Sequence, residues 1–273
     1  MGMAESRSYL TPGALLVLAA RLCRGRFVFF KRRSNTSRYV ACILLICLGS
    51  AAYGFTLGMA RSWMLGCLTA VKLPLLLLMT MISNCLVNGL LAQVLGTKVM
   101  FKQAFQLLLT SYAVFAIIVG ALTPVLLYLA WNLPRVGSGA GIIRSYGWAV
   151  VANTMLIAWA ALVAHTRALT QLRKIGHSDT AAEWTYIIWC VVNFVLGAQL
   201  AWLMRPFFGH PGMPVDLTRP LTWSGNFYGA FLDATQNAAG GLWGLIMLGI
   251  LIFVIIYIPA MLTTGKEPVK KVK

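Results

Sequence analysis

Long apolar runs separated by short polar stretches set the pattern of this chain. Six of them approach or exceed the ~20 residues that cross a bilayer core as helix. Their expected spans are residues 39–57, 71–95, 105–131, 147–165, 184–204 and 239–262. The predicted fold is an all-α integral membrane protein, a six-helix transmembrane bundle in one membrane domain. Pro124 should kink the third span or end it there, because proline lacks the N–H of a helical turn and clashes with the preceding one. Gly54 and Gly58 near the end of the first span, and Gly240 and Gly244 at the start of the sixth, are spaced for close helix approach, within the bundle or between copies. Residues 14–30 read as an amphipathic helix on the membrane surface, with Arg21, Arg24 and Arg26 toward the headgroups.

Composition agrees: of 273 residues 59% are hydrophobic and only 11% charged, well below a soluble domain. The net charge of +17 would point to nucleic acid in a soluble protein. Beside membrane spans, bases instead set topology and meet anionic lipid, so no nucleic-acid partner is expected. The N-terminus, the second and fourth connections and the C-terminus hold 17 Lys and Arg, against six in the other three loops. The positive-inside rule then puts both termini in the cytoplasm, with the chain in the cell's inner (plasma) membrane. Residues 1–38 form a basic cytoplasmic segment and 263–273 a basic cytoplasmic tail, both held against the inner leaflet.

The expected spans contain little titratable chemistry. All six acids lie outside them, and His165 falls at a span end, which argues against a proton-coupled carrier. Lys72 lies near the start of the second span, where it can snorkel. Candidate intramembrane polar contacts are Asn84 and Asn88, one turn apart on the second span, with Asn193 and Gln199 on the fifth. Asn153 and Thr154 lie on the fourth. Amides in lipid commonly join helices. Six cysteines, none in a CxxC pair, read as small buried side chains; no metal or cofactor is expected.

One stretch breaks the apolar pattern. Residues 205–220 read RPFFGHPGMPVDLTRP, directly after the fifth span. Its prolines and glycines define a tight path, expected as an extracytoplasmic cap over the bundle, with Asp216 paired to Arg205 or Arg219. Trp223, Phe227 and Phe231 then follow at helical spacing, as in a short interfacial helix. His210, Asp216 and Ser224 can be written as a triad, but no GxSxG or HExxH accompanies them, so no catalytic residue is assigned.

The runs VKLPLLLLMTMISNCLVNGLLAQVLG and FKQAFQLLLTSYAVFAIIVGALTPV, with the RPF-x-G-x-P-x-x-P-x-x-x-x-RP loop and a following NFY, resemble a group of polytopic bacterial membrane proteins. That group is distantly similar to the Yip (Ypt-interacting protein) family. The motif falls on Arg205, Pro206, Phe207, Gly209, Pro211, Pro214, Arg219 and Pro220, then Asn226, Phe227 and Tyr228. The resemblance implies a membrane organiser rather than an enzyme, and it makes the motif, with His210 and Asp216, the candidate partner-binding cap. Three functions stand open. The first is a non-enzymatic scaffold or accessory subunit, with a membrane-protein partner or a second copy. The next is a channel or carrier for small molecules or lipids, in which Asn84, Asn88, Asn193 and Gln199 face a common cavity. The last is a membrane enzyme on lipid or envelope substrates, using His210 and Asp216.

Overall fold

The computed structural model describes residues 11–25, 36–94, 100–133, 139–175, 179–209 and 225–253. Among these the chain is all helical. Its helices are α1 (Pro12–Cys23), α2 (Thr36–Met59), α3 (Trp63–Val94), α4 (Phe101–Ala121), α5 (Thr123–Asn132), α6 (Ala140–Ile175), α7 (Asp179–Leu203), α8 (Phe227–Ala239) and α9 (Gly241–Ile252). Five stretches are long and apolar enough to cross a membrane: Thr36–Met59, Trp63–Leu91, Phe101–Ala121, Ala140–Arg173 and Thr180–Leu203. Large apolar side chains such as Leu48, Val71, Ile82, Leu90 and Trp159 face outward, as lipid-facing surfaces do. The protein is therefore a membrane protein. Of the sixth expected span, α9 forms the first half; 254–262 lie outside the described residues.

The first two spans form a tight helical hairpin. The loop expected between residues 58 and 70 shrinks to a turn at 60–62, because α3 starts at Trp63. Ser62 caps it, its Oγ accepting from the Leu65 amide at 3.1 Å. The Gly54/Gly58 pair works within the bundle. A Cβ on Gly54 would collide with the Thr69 carbonyl, and one on Gly58 with the Thr69 hydroxyl. Across this close approach the Thr69 hydroxyl donates to the Gly54 carbonyl at 2.6 Å. Farther along α2, Gly49 meets the Ala116 backbone and Gly120 of α4 in the same way. Three glycines thus seat α2 against both neighbours.

The second expected pair does not behave so. Gly240 is no helix contact; it breaks the chain between α8 and α9 at φ +92°, with nothing within 4 Å of a Cβ placed there. Positive φ is a glycine conformation, and it ends the helix at Ala239. The third expected span is divided as well: α4 ends at Ala121, and Pro124 sits in the first turn of α5. The fourth is much longer than expected, 36 residues in α6. Its polar extension beyond residue 165 continues as helix, and Arg173 there pairs with Glu183 of α7 at 2.6 Å.

Helix α1 lies against the bundle. Thr11 caps it, Pro12 opens it, and Leu18 and Leu22 are buried in the same core as Ala104, Leu107 and Leu108 of α4. The hydrophobic stripe expected for a surface helix is present, and it is occupied by protein.

Candidate functional site

A cavity of about 800 Å³ lies between α2, α3, α4, α6, α7 and α8. Packed interiors leave few voids larger than a water molecule, whose share of liquid volume is about 30 Å³. This space would hold roughly 25 waters, so it is no packing defect. It falls within the ~300–1,000 Å³ of small-molecule sites. Its walls are mostly apolar and aromatic, among them Leu57, Leu76, Phe115, Val119, Ile157 and Phe194.

The polar groups are arranged in tiers. The inner end is a hydrogen-bond chain across four helices. Asn84 Nδ2 donates to the Tyr112 hydroxyl at 2.9 Å, and that hydroxyl donates to Asn193 Oδ1 at 2.8 Å. Asn193 Nδ2 lies 2.8 Å from His165 Nε2, and His165 Nδ1 lies 2.9 Å from the Ala161 carbonyl. A carbonyl only accepts, so Nδ1 carries the ring proton and Nε2 accepts from Asn193. All four bonds therefore run in one direction, from α3 through α4 and α7 to α6. Tyr112 and Asn193 lie 11 and 14 residues along their helices, and His165 10 residues before the end of α6. At 1.5 Å per residue these are ~15–21 Å from one end of the bundle, near its middle.

A second tier lies nearer the α2–α3 turn. Tyr53, fully buried, donates to Asn153 Oδ1 at 2.7 Å. The third tier is the rim, with Arg205 beside the exposed α8 residues Asp233, Gln236 and Asn237. The Arg205 guanidinium lies over the Trp202 ring, 3.8 Å from its centroid, and Nη1 donates to the Trp202 carbonyl at 2.8 Å. Helix α8 is held at the rim by Gly147 of α6, where a Cβ would meet Ala234 and Ala238, and by Arg144 Nε, which donates to the Ala238 carbonyl at 3.0 Å.

The expected site residues divide between these places. Arg205, Pro206, Phe207 and Gly209 line the cavity and fold back over the α2–α3 hairpin. Phe207 joins the cluster around Tyr53 and Leu57. Gly209 adopts φ +67° against Arg61 and Leu65, where a side chain would be strained. Asn226 caps α8, its Oδ1 accepting from the Gly229 amide at 2.8 Å. Tyr228 packs on Phe194, ring centroids 5.6 Å apart, and burial raises its hydroxyl pKa above the ordinary tyrosine value. Phe227 stacks on Phe231 at the expected one-turn spacing. His210, Pro211, Pro214, Asp216, Arg219 and Pro220 lie outside the described residues, and with them the expected Asp216 ion pair.

The four amides do not share one cavity. Asn193 lines it and Asn84 joins it through Tyr112. Asn88 is fully buried one turn farther along α3, its backbone carbonyl accepting from Trp189 Nε1 at 3.2 Å. Gln199 is not among the lining residues. His165 is also not at a helix end: it is 7% exposed, inside α6. Its burial supplies polar chemistry inside the bundle that a span boundary at residue 165 does not predict; Tyr53 and Tyr112, also buried, fall inside the expected first and third spans. The one signal in the sequence was helical continuity through residues 166–175, a stretch without glycine or proline. Among the described residues no group of three His, Cys, Asp or Glu side chains could hold a metal ion. No family model, no characterised protein and no solved structure matches this chain.

Proposed function

We propose that this protein binds a small amphiphilic molecule or lipid inside its bundle, as a carrier or lipid-handling protein rather than an enzyme. The observation behind this reading is the 800 Å³ cavity, apolar along its walls and polar at its inner end, middle and rim. An apolar body with a few polar atoms matches that distribution. In the bilayer, six spans and cytoplasmic termini, as the distribution of bases favours, place the rim toward the extracytoplasmic side of a bacterial inner membrane. The basic ends then meet anionic lipid. The motif residues Arg205, Pro206, Phe207 and Gly209 would serve as the rim of the site, a role that also fits their resemblance to the bacterial group.

The test is native mass spectrometry of the protein released from its own membranes, wild type beside Gly197→Phe. Gly197 lines the cavity, and a Cβ there meets only Thr80 Cγ2 at 3.7 Å, ordinary contact. A side chain at this lining position therefore starts into the cavity with no clash at its Cβ. A bound small molecule in wild type, lost from a folded Gly197→Phe, is the expected result. A stoichiometric protein partner with no bound small molecule would refute the carrier reading in favour of a scaffold.

A further inference from the structure

The polar atoms of the cavity are engaged unevenly. In its inner and middle tiers the amide and imidazole acceptors each hold a donor: Asn153 Oδ1 from Tyr53, Asn193 Oδ1 from Tyr112, and His165 Nε2 from Asn193. The hydroxyl protons of Thr80 and Thr154 are directed to the carbonyls of Leu76 and Val150, at 2.7 and 2.8 Å. What remains toward the space at that depth are donors, while acceptors stand at the rim in the exposed Asp233, Gln236 and Asn237 of α8. Asn153 keeps both hydrogens of Nδ2, Asn193 keeps one, and Trp202 Nε1–H has no partner among the described residues.

We propose that the occupant is an apolar molecule bearing carbonyl oxygen, held by the Asn153 amide. This rests on the cavity being a binding site at all. Tyr53 is a positioning residue here: by engaging Oδ1 it turns Nδ2 toward the occupant. Tyr53 lies six residues before the end of α2, so the carbonyl would sit ~9 Å below the α2–α3 turn. At that depth the amide and imidazole acceptors already hold a donor, so a ligand that brings its own N–H or ammonium gains less there than one that brings a carbonyl. Ester lipids and isoprenoid quinones share this chemistry.

The experiment uses the full chain in lipid nanodiscs and four probes: methyl tetradecanoate, a decyl-substituted benzoquinone, tetradecylammonium and tetradecane. Affinities are compared at equal mole fraction in the membrane, on an Asp233→Asn background that removes the rim carboxylate. The ester or the quinone should bind about tenfold more tightly than the ammonium probe, the value of one well-placed hydrogen bond, and whichever is tighter identifies the source. Asn153→Leu should bring that probe down to the level of tetradecane. Tyr53→Phe frees Asn153 Oδ1 as an acceptor, so it should raise ammonium binding while the carbonyl probe weakens. That exchange of preference also serves should Asn153→Leu fail to fold. Ammonium binding equal to or tighter than the carbonyl probes on the Asp233→Asn background would overturn the carbonyl assignment and leave the cavity a binding site. No binding by any of the four would overturn the binding site itself.

Discussion

Replacing Asn193 by leucine keeps the side-chain size and removes two interhelical hydrogen bonds at once, to Tyr112 and to His165. Hydrogen bonds between membrane helices average ~0.6 kcal/mol and reach ~1.7. The expected cost is therefore about 1–3 kcal/mol, up to a factor of ~100 in the folded-to-unfolded ratio. Asn88→Leu is the matched control on α3. Both amide atoms of Asn88 are buried with no hydrogen-bond partner among the described residues, so the exchange removes desolvated polar atoms and breaks no bond. It should be neutral or stabilise by ~1 kcal/mol. Tyr112→Phe shares one bond with Asn193→Leu, so the double variant should cost less than the sum, by ~0.6–1.7 kcal/mol. Equilibrium unfolding by steric trapping in bicelles measures all four variants. Equal costs for Asn193→Leu and Asn88→Leu, or strict additivity with Tyr112→Phe, would refute the directional chain.

Other outcomes follow from the helix contacts. Gly54→Leu drives a side chain into the Thr69 backbone and should cost ~3 kcal/mol or prevent folding, measured in the same assay. Thr69→Val removes only the hydroxyl bonded to the Gly54 carbonyl and should cost ~1 kcal/mol. Gly240→Ala must hold an alanine at φ +92° and should cost ~1–3 kcal/mol, visible as faster hydrogen exchange confined to α8 and α9. Arg173→Gln removes the ion pair between a buried guanidinium and the quarter-exposed Glu183; the loss should be about 1–3 kcal/mol and change little as salt rises.

The helices were legible because hydropathy reports what lipid demands of each segment. Five of the six expected spans correspond to long apolar helices, and Pro124 divides the third as its chemistry requires. Helix ends were not legible, since polar turns beyond a bilayer still form helix: α6 continues ten residues past His165. That error hid the site, because His165 counted as an end residue. Glycine spacing was ambiguous for a related reason. Gly54 and Gly58 approach α3, while Gly240 has the same spacing to Gly244 and ends a helix, and only backbone geometry separates the two. The cavity itself could not be read from the chain. It depends on which faces of six helices converge, and Tyr53, Asn153, Tyr112 and Asn193 come from four of them. In the proline-rich loop the sequence marked residues worth attention, and four of them reach the rim.

The most direct measurement is an experimental density map of the full chain in nanodiscs of its native lipids. The account predicts α6 and α7 joined at the Asn193–His165 pair, with non-protein density on its rim side reaching the Tyr53–Asn153 pair. A bundle collapsed so that Phe194 and Ile157 pack onto Leu76, with no space between them, would contradict it.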